Sequence, residues 1–171
     1  MNVQRTITPP PSGEGGSYDA DFLVWTEEQA DALRTRDLSR IDWDNLIEEV
    51  ESLGKSQRKE LLSRITVILI HLLKYQFSVD TQPRAGWRST LLAQRDDLSA
   101  LLKDNPSLVR EIPETIARKY SSARRRALAE LEVHEPNLID QYQATLPEAP
   151  PYTAEHVMQM DWLPDPAPAA R

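Results

Sequence analysis

Residues 61–77 read LLSRITVILIHLLKYQF, and the reading of this stretch decides the fold. Its β-branched run, Ile65–Ile70, would suit a strand by composition alone. Spacing argues otherwise. No turn signal flanks the run, and Leu61, Leu62, Ile65, Ile68, Leu69, Leu72 and Leu73 recur at three- and four-residue intervals. That is the broad apolar face of a helix. The pattern predicts a helix from about Ser56 to Phe77, central to the fold. Ile65–Leu73 is about half of the ~18–20 apolar residues needed to span a bilayer. A buried core helix is therefore expected, and no membrane.

Working outward, proline placement sets the other boundaries. The chain has 171 residues, 13 of them Pro and 5 Gly. After Pro9, Pro10 and Pro11 the next proline is Pro83, so long helices are permitted across that interval. A first helix is expected to start near Asp19 or Asp21, with Phe22, Trp25, Gln29, Ala32 and Leu33 at helical spacing. A second begins after Asp42, a good N-cap, with Trp43, Leu46, Ile47, Val50 and Leu53 as one apolar stripe. Gly54 is expected to end it or form a tight joint. Pro83–Gly86 connects to a fourth helix over about Trp87–Lys103. Pro106 starts a short turn, and a fifth helix follows Pro113. Thr153 looks like an N-cap for Ala154–Met160, and Trp162 is expected to pack back on the bundle. The predicted fold is all-α: a single helical bundle of five to six helices over residues 18–164, with disordered tails at 1–17 and 165–171.

Composition removes several function classes. Cysteine is absent, so disulfides, zinc fingers and a Cys nucleophile are excluded. The opening residues lack the apolar core of a secretory leader, and cytoplasm is the expected location. Net charge is −7. It is segregated: residues 1–60 carry 7 basic and 13 acidic groups, residues 61–131 carry 12 and 7, and residues 132–171 carry 1 and 7. A basic middle between acidic ends is either internally complementary or offers a basic face.

No Gly-rich phosphate loop, Walker pattern or GxSxG is present. None of His71, His134 and His156 has an acid three residues earlier, so the Glu-x-x-His pairs of a di-iron bundle are missing. A metal site would have to be assembled from distant carboxylates. No metal and no cofactor is expected.

His71 interrupts the most apolar helix. Arg64, Val67, His71 and Lys74 share one face. Two readings follow. In the structural one, this stripe docks on the acidic second helix, through Asp42, Asp44, Glu48 and Glu49, and fixes register. In the catalytic one, His71 is a general acid/base, Lys74 or Arg95 stabilises an anion, and Glu48 and Glu49 supply carboxylates. Arg95 suits a phosphate or carboxylate fork or a structural ion pair. The four Trp are expected in the core, each indole N–H reaching a partner. Arg118, Arg124, Arg125 and Arg126 form a basic face. It lacks the aromatic interleaving of a nucleic-acid footprint, and a solvated helix face explains it.

The order and spacing of these residues carry a resemblance. Tyr18-Asp19-x-Asp21-Phe22-x-x-Trp25, then Gln29, Leu33-Arg34 and Asp42-Trp43-x-Asn45-Leu46-x-Glu48-Glu49 open it. Leu53-Gly54-x-Ser56, Ser63-Arg64, His71-Leu72-Leu73-Lys74, Arg84, Trp87, Gln94-Arg95 and Pro106-Ser107-Leu108 continue it. Tyr120, Ala123-Arg124, Tyr152-Thr153 and Trp162-Leu163-Pro164 close it. Over about residues 18–164 the chain resembles domain-of-unknown-function family 29. The resemblance implies a bacterial, compact, all-helical protein, and it implies fold rather than function. The family's polar signature falls on Asp42, Asn45, Glu48, Glu49, Arg64, His71, Lys74 and Arg95. Relatives commonly carry a Cys just before the Tyr-Thr pair, where this chain has Pro150-Pro151, so a thiol-dependent role does not carry over.

The expected function is a protein-interaction or regulatory module with a protein partner. One alternative is a hydrolase or nuclease-like enzyme on His71, Lys74, Arg95, Glu48 and Glu49. A second is nucleic-acid binding through the 118–126 segment. An interaction module predicts an exposed apolar patch larger than a few hundred Å². An enzyme predicts that His71, Arg95 and a carboxylate converge in an open cleft.

Overall fold

The computed structural model describes residues 17–167. Every regular element among them is helical: α1 (Ser17–Ala20), α2 (Phe22–Thr35), α3 (Trp43–Phe77), α4 (Arg84–Asp104), α5 (Ile112–His134), α6 (Ile139–Thr145) and α7 (Ala154–Met158). Short 3₁₀ turns lie at Leu38–Arg40, Pro106–Glu111 and Pro136–Leu138. The all-α class is as the sequence predicts. The chain divides into two compact units, residues 1–54 and 55–171.

The Ile65–Ile70 run is helical and supplies the core of the second unit. Ile65, Ile68, Leu69, Leu72 and Leu73 are fully buried. Leu91 and Leu98 of α4 pack with them, as do Ile116, Tyr120, Ala123, Ala127 and Leu131 of α5. Each buried Leu or Ile stabilises the fold by about 1.5–3 kcal/mol through removal from water. Caps fall where the side chains suit them. Asp21 accepts from the Val24 N–H at 3.1 Å at the start of α2. Thr153 accepts from the His156 N–H at 3.3 Å at the start of α7, and the His156 ring accepts in return from the Thr153 N–H.

Four boundaries differ from expectation, the smallest being that α7 ends at Met158 rather than Met160. Gly54 neither ends nor joins a helix, because α3 runs unbroken through it. Glycine permits a left-handed stop but does not impose one. No described glycine has positive φ. Its helix penalty of about 1 kcal/mol is small beside the hydrogen bonds of the turns on either side. The turn that would fold an acidic second helix onto the polar stripe of a third is therefore absent. The fourth helix begins at Arg84, three residues before Trp87, with its first turn carried by Pro83. Helix α5 begins at Ile112 and takes Pro113 into its first turn, where the missing N–H costs nothing.

Of the expected tails, residues 1–16 and 168–171 lie outside the described residues. Ser17 opens α1. At the other end the Ala167 N–H donates to the Gln76 carbonyl at 2.7 Å.

Candidate functional site

The first unit is a helical hairpin whose walls are α2 and the opening turns of α3. Its bend is built from polar residues. Arg36 takes a left-handed conformation (φ 59°), and its N–H returns to the carbonyls of Ala32 and Leu33. The Asp37 carboxylate then accepts from the Ser39 N–H and hydroxyl, closing the 3₁₀ turn. Asp42 joins the two helices. Its carboxylate accepts from Asn45 Nδ2 at 2.7 Å and from the Trp25 indole N–H at 3.2 Å. Its own N–H donates to Gln29 Oε1 at 2.8 Å. The Asn45 bond, aided by the Asn45 and Trp25 N–H groups and opposed by burial, holds the Asp42 carboxyl below the ordinary carboxylate range. The Tyr18 hydroxyl donates to Glu49 at 2.6 Å. That bond pushes the phenol up to about 12. The Tyr18 ring meets the Trp25 ring edge-on, 4.9 Å between centroids.

This stapling leaves the apolar residues of both helices uncovered. Among the described residues of this unit, only Trp25, Gln29, Ala32 and Ile41 are buried. Phe22, Leu33, Val50 and Leu53 keep 51%, 48%, 61% and 67% of their surface. Together with Trp25, Ala30 and Leu46 they line an open groove of about 310 Å³ between α2 and α3, with Glu49 on its wall. Trp43 and Ile47 extend the exposed apolar strip along α3. Trp43 thus departs from the expectation of core packing. The surroundings are acidic: residues 17–54 hold eleven Asp and Glu against three Arg, a formal net of −8.

The sequence-predicted candidates are dispersed between the two units. Asp42, Asn45 and Glu49 serve the hairpin, and Glu48 is exposed on α3. In the second unit, Arg64 pairs with Glu60 at 2.8 Å and with Asp97 at 2.6 Å. Lys74, 6% exposed, reaches Glu130 of α5 at 2.5 Å and lies 5.2 Å over the Trp87 ring. His71 is half-buried, with Nδ1 2.9 Å from the Val67 carbonyl. A carbonyl only accepts, so Nδ1 carries the proton. Burial, reinforced by Lys74 and Arg126, lowers the His71 pKa, against the Val67 bond and Glu130.

Arg95 takes neither a phosphate nor a carboxylate fork. It is 1% exposed. Its guanidinium donates to the carbonyls of His156 (2.8 Å), Val157 (3.1 Å), Met160 (3.2 Å) and Trp162 (2.8 Å). These are the free carbonyls that follow and end α7, where a cation is favoured. The expected packing of Trp162 is present: its ring stacks on His156 at 4.0 Å and meets Tyr152 edge-on.

On the basic face, Arg124 donates to the carbonyls of Gln143 and Leu146, joining α5 to the end of α6. Arg118, Arg125 and Arg126 are exposed. A cleft of about 570 Å³ lies beside Arg124 and Arg125, but Glu132 and Glu148 also line it, so its charge is mixed. Among the described residues no group of three or more His, Asp and Glu is placed to hold a metal ion. No described helix is long and apolar enough to cross a membrane.

The hairpin groove was not foreseen as a site. Its signal was present in two apolar stripes carried on a strongly acidic segment. Periodicity shows that a helix has an apolar face, but not what covers it.

Comparison with curated proteins and with solved structures returns no match. The family comparison does, over residues 17–163, across nearly all of the motif positions described above. The chain belongs to the family described as domain of unknown function DUF29.

Proposed function

We propose that the chain is a protein-interaction module and that the α2–α3 hairpin is its docking element. One observation carries this reading: the apolar groove lined by Phe22, Leu33, Leu46, Val50 and Leu53. Phe22, Val50 and Leu53 are more than half exposed and Leu33 nearly so, and exposed apolar side chains contiguous on two helices suit an interaction site. The hairpin carries its own internal ties. Trp25–Asp42, Gln29–Asp42 and Tyr18–Glu49 fix the two walls before any partner arrives. A pre-formed groove avoids the ordering cost that weakens binding by flexible segments.

The enzyme reading draws no comparable support. Arg95, its anion-stabilising group, has its guanidinium engaged by four backbone carbonyls. Nucleic-acid binding through Arg118–Arg126 is weakened likewise, with Arg124 engaged by carbonyls and Glu132 on the wall of the adjoining cleft.

Photo-crosslinking in the native cell tests the proposal. A crosslinking residue at position 53 should give a discrete adduct. That adduct should vanish when Leu33, on the opposite wall, is changed to Glu. The same crosslinker at exposed Lys103 should not give it. Absence of any adduct, or an adduct indifferent to Leu33→Glu, refutes a docking role for the groove.

A further inference from the structure

We infer that the occupant of the hairpin groove is a cationic amphipathic helix of another protein, about three turns long. The inference rests on the docking reading above and adds the chemistry of the partner.

Length comes from the walls. On α2 the groove runs from Phe22 to Leu33, eleven residues and so about 16 Å at 1.5 Å per residue. Its lining positions recur at three- and four-residue steps on both helices, the pattern of knobs that receive a third helix between two. The groove is open along one side, so it admits an elongated element.

Charge selects among helices. The hairpin carries −8 over residues 17–54, whereas the whole chain carries −7. The acidity is thus concentrated on this unit. Glu49 stands on the groove wall. Glu27 on α2 and Asp44 on α3 are exposed and add to the charge of the unit from outside the groove lining. A helix with an apolar stripe and Lys or Arg on its flanks satisfies the apolar floor and the acidic unit around it together. A second copy satisfies only the floor, since pairing two hairpins brings two units of −8 face to face. Like-charge juxtaposition of that kind works against association.

The test uses the full chain and three labelled 18-residue helical peptides with the same one-turn Leu stripe. The remaining positions are Lys, Gln or Glu. Anisotropy titrations at about 0.1 M salt should place the Lys peptide at least tenfold tighter than the Gln peptide, with the Glu peptide weakest. The Val50→Glu/Leu53→Glu chain should lose the Lys peptide even though its acidity has increased. Binding driven by charge alone would strengthen in that variant. Glu27→Gln/Asp44→Asn should weaken the Lys peptide and leave the Gln peptide unchanged.

Equal binding of Lys and Gln peptides would overturn the cationic inference and leave the docking reading standing. Self-association that disappears in Val50→Glu/Leu53→Glu would do the same, with a second copy as occupant. Lys-peptide binding that survives or strengthens in that variant would also overturn it. No peptide binding, no self-association and no crosslink from position 53 would overturn both. Circular dichroism of each variant confirms folding; all four substituted side chains are exposed.

Discussion

Arg95 donates to the carbonyl of Trp162 at 2.8 Å, and so ties the middle of α4 to the chain segment that follows α7. Its other donors take the carbonyls of His156, Val157 and Met160. A fully buried guanidinium without a direct ion pair is tolerable because four carbonyl dipoles solvate it, and the Asp161 carboxylate also favours its charge. Arg95→Met would leave those carbonyls without their donor. The expected loss is about 3 kcal/mol or more, since each buried acceptor forfeits a charge-assisted bond. Arg95→Lys should recover only part, because one ammonium cannot reproduce the planar fork. Urea denaturation of the full chain measures this. A Met variant within 1 kcal/mol of the parent would show that the clamp is incidental.

The same residue marks the limit of what the sequence discloses. Local rules read well here. Proline spacing, Asp21, Asp42 and Thr153 at helix starts, and the Ile65–Ile70 period are short-range signals, and the helices follow them. Arg95 was legible only as a polar position on an apolar helix. Its partners lie more than sixty residues away and are backbone atoms, which leave no trace in residue type. Lys74 shows the same gap: the acid expected for it was on the preceding segment, and the structure supplies Glu130 from α5. The first-unit groove failed to register for a third reason. Amphipathic spacing at Phe22–Leu33 and Trp43–Leu53 specifies two apolar faces and is silent on whether the chain itself covers them.

Gly54 separates two accounts of the chain sharply. If it closed a helix in a left-handed conformation, a Cβ there would be strained and Gly54→Ala would destabilise. In an unbroken α3 the same change removes unfolded-state freedom and improves helix propensity. Gly54→Ala should therefore raise stability by about 0.5–1 kcal/mol. A rise in the urea midpoint is the expected reading. A fall would restore the stop at Gly54.

Leu53 and Leu69 lie on the same helix with opposite exposures, 67% and 0%. Leu69→Ala should cost about 2–5 kcal/mol through lost burial and the cavity left behind. Leu53→Glu should change stability by no more than about 0.5 kcal/mol, as for other exposed positions. Thermal melts of the two variants side by side make the comparison. A Leu53→Glu loss comparable with that of Leu69→Ala would mean that the groove is closed in solution and unavailable for docking.

His71 gives the fold a pH dependence of predictable sign. Its pKa lies below the ordinary value of about 6.5 because burial disfavours the imidazolium, and Lys74 and Arg126 add to the effect. The Val67 carbonyl and Glu130 act the other way and are the weaker influence. The unfolded chain, with an ordinary histidine, therefore binds this proton more readily than the folded chain does. Stability from this group is complete above the unfolded value and declines as pH falls below about 6.5, levelling once pH passes the folded value. His71→Gln keeps a donor for the Val67 carbonyl and removes the titration. Denaturation free energies of parent and variant, measured from pH 8 to pH 5, should diverge with the parent losing more toward acid. Groups that do not interact with His71 are common to both chains and cancel in the difference, so what remains belongs to His71 and its coupling to Lys74, Glu130 and Arg126. Parallel curves would show that His71 titrates alike in both states, and a parent that gains on the variant toward acid would show that Glu130 outweighs burial.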